Sequence, residues 1–406
     1  MAEEYIADVT IIGAGLAGAS LALALSGHNL SIRLVESKSL KRGSLISNED
    51  LNGFDLRVTA LTPRSVNLLE RLEVWQAVKN FRVCPYNHMV VWDAEGTGRI
   101  EFDCAAIGAP RLGTIVENGV LLSELLSKVE SKEDIAFLTP DSIDGFSGSH
   151  KEDLLNITLS SGRSINTRLL VAADGAYSKV RELAGFKINE WEYGQRAIVA
   201  TVEVEKYHQA TAWQRFLCTG PLAFLPLSEN SNSHFCSIVW SCDNWLAEQL
   251  ATLSDEDFCV RLSHEFEYTL GKVLGISSRI VFPLRQRHST AYYKPQVALI
   301  GDSAHTIHPL AGQGINLGLQ DVEIFAEEIL AAHKANIAIG SQDVLARYQR
   351  RRKGENLQMM LVMEGFKRLF GSREMPIRWL RNVGLSKING MPGLKKYVIR
   401  YAMGIN

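Results

Sequence analysis

From residue 9 to residue 27 the chain reads VTIIGAGLAGASLALALSG, with no charged position. The run divides into a short β-branched segment, Val9–Ile12, a glycine turn and an Ala/Leu-rich segment. That predicts a strand, a tight turn and a helix rather than a membrane span, and MAEEY ahead of it lacks the positive flank of a signal peptide. SIRLVES, 31–37, reads as a second strand ending in Glu36, and residues 40–53 as a polar loop. RVTALTPRSVNLLERLEVW, opening at Arg57, has an apolar stripe and is expected to be helical. Residues 87–103 read as two short strands around a Gly-rich turn, and 113–129 as a strand then a helix with Asn118 at the junction. Short strands between 135 and 172 lead to Asp174-Gly175. From Glu190 to about Arg287 the pattern becomes alternating (AIVATVEVE, RFLCTGPLAFLPLS, HFCSIVWSC), followed by one predicted helix over 255–274. An apolar strand, KPQVALI, then runs into GDSAHTIHPLAGQGINLGLQDV, 301–322, which predicts a strand end at Gly301-Asp302, a turn and a helix start.

Composition narrows the function without deciding it. The chain has 406 residues, 46% hydrophobic and 22% charged, with net charge −2, which is ordinary for a globular protein of this length. There is no low-complexity tract, zinc-finger spacing or RNA-binding aromatic motif, so neither a metal site nor a nucleic-acid partner is expected. Six scattered cysteines without a C-x-x-C pair read as reduced thiols. Charge is unevenly spread. Residues 365–406 carry nine Lys/Arg against one Glu, net +8, leaving −10 on the rest. Mixed with Phe366, Phe370 and Trp379, these basic residues suit either docking on an anionic membrane surface or a solvated helical cap.

The chemistry lies in three separated stretches. Gly13-Ala14-Gly15-Leu16-Ala17-Gly18 is G-x-G-x-x-G between strand and helix, and Glu36 ends the next strand about 20 residues on, where an acid would meet the ribose of an adenosine. Asp174 and Gly175 open D-G-x-x-S-x-x-R after an apolar strand, and Gly301 and Asp302 precede Gly312, Gly314 and Gly318. Glu36 would repel a 2′-phosphate, so the tightly held ligand is FAD or NAD. With no second G-x-G-x-x-G, one dinucleotide contacted from three places fits better than two. Of these only FAD is long enough to be contacted from both ends of the chain. The aromatics Trp213, Phe216, Phe224, Trp240 and Trp245 are either core or the lining of an apolar substrate cavity.

The full set resembles the single-component aromatic flavin hydroxylases. His308-Pro309-Leu310-Ala311-Gly312-Gln313-Gly314-Ile315-Asn316-Leu317-Gly318, ending at Asp321, is similar to the signature of the ubiquinone-biosynthesis branch (UbiH, UbiF, UbiI/VisC). LRVTALTPRS, VVWD, GTIVEN, LAFLPLS, SIVWS, GFKRLF and IRYAMGIN look most like its UbiI members. The W-x-W-x-I-P motif of related halogenases is absent. The implied fold is α/β, a Rossmann-like FAD-binding domain with an inserted, mostly antiparallel β-sheet substrate domain and a C-terminal helical segment. Its expected boundaries are 1–80, 105–186 and 289–345 for the first, 81–104 and 187–288 for the second, and 346–406 for the third. The implied activity is hydroxylation of a polyprenyl phenol, at C5, with non-covalent FAD, transient NADPH or NADH, and O2. Another ring position, or a flavin-binding subunit with little turnover of its own, is the alternative. By resemblance Arg57 contacts the FAD pyrophosphate, Asn118 the ribityl chain, and Asp174 both FAD and the passing nicotinamide cofactor. The backbone at Pro309, Gly314, Ile315 and Asn316 faces the reactive ring, with no side-chain base assigned. His305 and His308 are either bases or structural. The phenol substrate lives in a bilayer, so a cytoplasmic protein peripheral on the inner membrane face, held there or in a biosynthetic complex by residues 365–406, is expected; an oligomer stays open.

Overall fold

The computed structural model describes residues 6–39, 50–149, 153–228, 233–306 and 313–371, and single positions beyond. The first apolar run forms the strand Ile6–Ile12 and the helix Leu16–Leu25. In an eight-stranded sheet, Ile6–Ile12 lies between Ser164–Ala172 and Ile32–Val35, parallel to both. Ile135–Leu138 extends the sheet on one side and Val297–Leu299 on the other, again in parallel. These strands read as nearly unbroken apolar runs because helices cover the sheet. Val9, Ile11, Leu34, Leu169, Val171 and Leu299 are fully buried.

The registers fix where a ligand can sit. Ile12 is opposite both Val35 and Ala172, and Ala172 is opposite Leu299. Four parallel strands therefore end side by side, and the residues that follow them are Gly13, Glu36, Asp174 and Gly301-Asp302. In open parallel sheets the crevice beyond the carboxyl ends is where ligands bind.

The alternating region forms a nine-stranded, mostly antiparallel sheet around the long strand Ile188–Val204; its one parallel pair joins Thr211–Leu217 to His88–Asp93. One face packs on helices Asn244–Thr252 and Asp255–Glu265, with Trp240 and Phe258 fully buried and Phe224 stacked on Phe266 at 3.8 Å. The other face meets a small sheet of Val58–Leu61, Cys84–Tyr86 and Gly113–Glu117 through Ala212 and Leu225 against Ala60 and Ile115. The helix Gln342–Gly371 spans both layers. The Tyr348 hydroxyl donates to Leu299 O at 2.9 Å, and Phe370 stacks on Phe216 at 3.8 Å.

Two predicted helices are corrected. Arg57 opens the strand Val58–Leu61, not a helix, and the helix starts at Pro63. β-Branched Val58 and Thr59 pair with Glu117 and Val116. The residue before a proline is steered away from helical backbone, whereas proline itself suits a first helical position. Thr62 caps that start by accepting from the Ser65 N–H. The helix expected over 255–274 ends at Glu265: Glu267 and Tyr268 take left-handed backbone, and Val273–Ile276 pairs with the long strand. Sheet pairing overrides the helical spacing there. Trp245 is 55% exposed, while Trp240 and Phe224 are core.

Candidate active site

The glycine turn is built by contact. Gly13 has φ +100°, and a Cβ there would come within 2.5 Å of Ala173 O. A Cβ on Gly18 would reach 1.8 Å from Gly13 O, so only glycine lets this helix approach its strand. Gly15 differs. A Cβ there meets nothing within 4 Å, because it projects into the open crevice. That free backbone edge is the cradle a pyrophosphate needs. Glu36 stands beside it, with Oε2 accepting from the Ala14 N–H at 2.9 Å and Oε1 from the Lys38 N–H at 3.0 Å. A carboxylate has about four acceptor sites, so capacity remains for ribose hydroxyls.

Across the crevice, Asp174 Oδ2 accepts from the N–H groups of Lys179 and Val180 at 2.7 and 3.2 Å. Its Oδ1 is buried with no partner. Burial raises the Asp174 carboxyl above its ordinary range, although Ser178 and the backbone donors oppose this. Gly175 takes φ +81° and carries the turn away from the strand. Gly301, φ +58°, packs on Ala17 of the nucleotide helix and on Gly318. Asp302 is exposed yet hemmed in by protein, which raises its carboxyl; His305 and Arg57 pull the other way. Exposed Arg57 is thus within electrostatic reach of Asp302. Asn118 begins the helix Asn118–Glu130 at its strand junction, and its Oδ1 accepts from the Thr59 hydroxyl at 2.6 Å.

Beneath this floor lies a buried polar network that the spacing of motifs did not reveal. Asp321, fully buried, takes the Gly301 N–H at 3.0 Å and His305 Nε2 at 2.5 Å on one oxygen. On the other it takes Arg352 Nε at 2.8 Å and Asn356 Nδ2 at 3.2 Å. Burial would raise the Asp321 carboxyl, but the charges of His305 and Arg352 outweigh it and hold it well below the usual range. One ring nitrogen of His305 is therefore committed to Asp321, and the side chain is buried. Arg352 is the last of three consecutive arginines in the run RYQRRRKG. The helix turns its neighbours Arg350 and Arg351 outward and buries only Arg352.

Ile315 and Asn316 lie in the first turn of the helix Gln313–Lys334, as does Gly314. The side chain of Asn316 has its own task. Its Oδ1 accepts from the Thr62 N–H at 2.9 Å and the Ser65 hydroxyl at 2.7 Å, and its Nδ2 donates to Ala60 O at 2.8 Å. It ties the helix start to the small sheet. Pro309, Gly312 and His308 lie outside the described residues.

A family model described as an FAD binding domain matches residues 6–360. The chain belongs to this family of FAD-dependent hydroxylases. It is 34% identical over 98% of its length to the 3-demethoxyubiquinol 3-hydroxylase of Escherichia coli K12, covering 98% of that protein. To the ubiquinone hydroxylase UbiL of Rhodospirillum rubrum it is 33% identical, covering 99% of this chain and 90% of the relative. The structure of p-nitrophenol 4-monooxygenase PnpA from Pseudomonas putida superposes with a TM-score of 0.78 over 98% of both chains, at 16% identity, a likeness of fold. The residues fit the cofactor of this FAD hydroxylase family: an open glycine edge at Gly15, an acid beside it, and an orphaned buried oxygen on Asp174.

Proposed function

We propose that the protein hydroxylates the ring of a polyprenyl phenol in ubiquinone biosynthesis, at C5, using NAD(P)H and O2. The observation that carries this reading is the register of four parallel strand ends, which delivers Gly13, Glu36, Asp174 and Gly301-Asp302 to one crevice. When bound, FAD supplies the oxygen chemistry: with two electrons from NAD(P)H, one atom of O2 enters the ring and the other leaves as water.

The chain's own residues bind, orient and shield. The Gly13–Gly18 turn and Arg57 hold the pyrophosphate, Glu36 the ribose of the adenosine, and Asp302 and Asn118 the ribityl chain. Asp174 and Gly175 close the crevice from the far side. The start of the helix Gln313–Lys334 turns its positive end toward the reactive ring, and N–H groups in a first helical turn have no acceptor within the helix. Donors fixed in place before charge develops stabilise it without reorganisation. No side-chain base is assigned. Division of the chain at 1–80, 105–186 and 289–345 against 81–104 and 187–288, with 346–406 as a C-terminal helical region, belongs to the same proposal. So does attachment to a membrane surface or a biosynthetic complex through residues 365–406. No helix among the described residues is long and apolar enough to cross a membrane.

A second ring position is favoured by one observation, the 34% identity to a hydroxylase whose substrate is 3-demethoxyubiquinol. Incubating the FAD-loaded protein with NADPH, O2 and short-chain prenylphenols that differ in which ring position is open separates the two. Mass spectrometry and NMR of the product identify the new hydroxyl. NADPH oxidation that yields only peroxide with every phenol would refute both.

A further inference from the structure

The inner face of the β layer holds a cavity of about 20 Å³, lined by Ala60, Tyr86, Met89, Ala212, Gln214 and Leu225 among others. That volume takes one water-sized group, not a ring. Its walls are apolar except at two points. Gln214 is 6% exposed, and among the described residues its amide makes no hydrogen bond. The Tyr86 hydroxyl likewise has no hydrogen-bond partner among the described residues and lies against Gly113: a Cβ on that glycine would stand 2.6 Å from it. A buried amide and a half-buried hydroxyl, both lining one small space and neither bonded to the described residues, mark a place where a ligand completes the bonding.

The placement is suited to the reaction. Ala60 lines the cavity, and its carbonyl accepts from Asn316 at the start of the helix Gln313–Lys334. The space therefore adjoins the seat assigned above to the reactive end of the cofactor. Its chemistry is neutral. Burial pushes the Tyr86 phenol up to about 12, so it stays a protonated donor. Gln214 offers both donors and an acceptor, and no Lys or Arg lines the space among the described residues. A carboxylate would be desolvated there without a counter-charge.

We propose that Tyr86 and Gln214 are the specificity-determining pair that receives the neutral oxygen substituent of the phenolic ring in this cavity. The proposal rests on the hydroxylase reading above and adds which side chains choose the substrate. Tyr86 donates to the oxygen, Gln214 accepts from its hydrogen, and the apolar walls exclude ring acids.

The test titrates FAD-loaded protein with a short-chain prenylphenol, with the same compound lacking its hydroxyl, and with 4-hydroxybenzoate, following the flavin absorbance. Tyr86→Phe and Gln214→Leu are each expected to weaken the prenylphenol by about 10-fold and the deoxy compound by less than about 2-fold, the loss of one hydrogen bond. Tyr86→Phe removes a single oxygen from the cavity wall, so a folded variant is available even where Gln214→Leu is unstable. For turnover, KM should rise in parallel with the weakened binding. Equal losses for both compounds, no loss for either, or tight binding of 4-hydroxybenzoate overturns the assignment. If the unaltered protein hydroxylates the phenol while both variants match it, the pocket is wrong and the hydroxylase reading stands. If the unaltered protein neither binds nor hydroxylates any prenylphenol, that reading falls and the pocket with it.

Discussion

Arg352→Met would test whether the C-terminal helix supports the cofactor crevice through one buried charge. Methionine keeps most of the aliphatic bulk and removes the guanidinium. Asp321 would then retain His305, Asn356 and the Gly301 N–H, but lose its permanent counter-charge. Both members of the pair have 0% exposed side chains, so water cannot repair the loss. Removing one partner of a buried ion pair costs about 3–5 kcal/mol. Asp321→Asn should cost less, about 1–3 kcal/mol, because Arg352 still has Glu355 and Asn356. In Arg352→Met/Asp321→Asn no charge is left stranded, so the double variant should lie at least about 1 kcal/mol above the sum of the singles. The assay is urea unfolding of the FAD-loaded protein, followed by tryptophan fluorescence and by flavin release. The chain has several hydrophobic clusters, so midpoints become free energies only where the two probes coincide. Singles that add within about 0.5 kcal/mol, or an Asp321→Asn loss larger than that of Arg352→Met, would refute the coupling.

Three further outcomes follow from the same geometry. Gly15→Ala should leave the apoprotein's thermal midpoint nearly unchanged but weaken FAD at least about 10-fold, whereas Gly18→Ala, 1.8 Å from a carbonyl oxygen, should destabilise the fold itself; fluorescence titration and a melting curve separate the two. Asn316→Ala strands the Thr62 N–H and Ala60 O, leaves the Ser65 hydroxyl only Thr62 Oγ1, and should cost about 2–4 kcal/mol in urea unfolding. His208 and His288 are both lowered to about 4, chiefly by burial, so the unfolded chain binds protons that the folded chain refuses between about 6.5 and 4. Stability should therefore fall as pH drops through that window, by about 2 kcal/mol per histidine between pH 7.5 and 5, and His208→Asn should flatten the slope; a slope of opposite sign would count against neutral burial.

The nucleotide crevice was legible because its rules are local. A strand, a turn whose backbone must be glycine, a helix and a strand-end acid recur at fixed spacing, and Gly13, Gly18 and Glu36 sit where that spacing puts them. Convergence of Asp174 and Gly301 on the same edge was inferred from chemistry and appears as register. What escaped notice depends on partners far away in the chain. Arg352 looks identical to Arg350 and Arg351 until the helix phase against Asp321 is known. Asn316 was read for its backbone, while its side chain braces residues 60–65. The strand Val58–Leu61 was hidden by a helical stripe because its pairing partner, Gly113–Glu117, lies more than 50 positions later. Tyr86 and Gln214 carry no local signal, since an unpaired polar group is defined only by what surrounds it.

Register also has a consequence for synthesis. The strand Ile6–Ile12 leaves the ribosome more than 150 residues ahead of its neighbour Ser164–Ala172, which must emerge before they can pair, and Val297–Leu299 must follow before the sheet's last parallel partner is in place. Arg352 comes later still. The β layer is completed no earlier than that sheet, because its edge strand His305–Thr306 pairs with Ile280–Ser289. The nascent chain thus holds an unfinished apolar sheet for most of its translation, the circumstance in which chaperones are most needed. A product that stops before Arg352 lacks the counter-charge of Asp321 beneath the crevice, so cofactor uptake doubles as a report that synthesis has passed that residue.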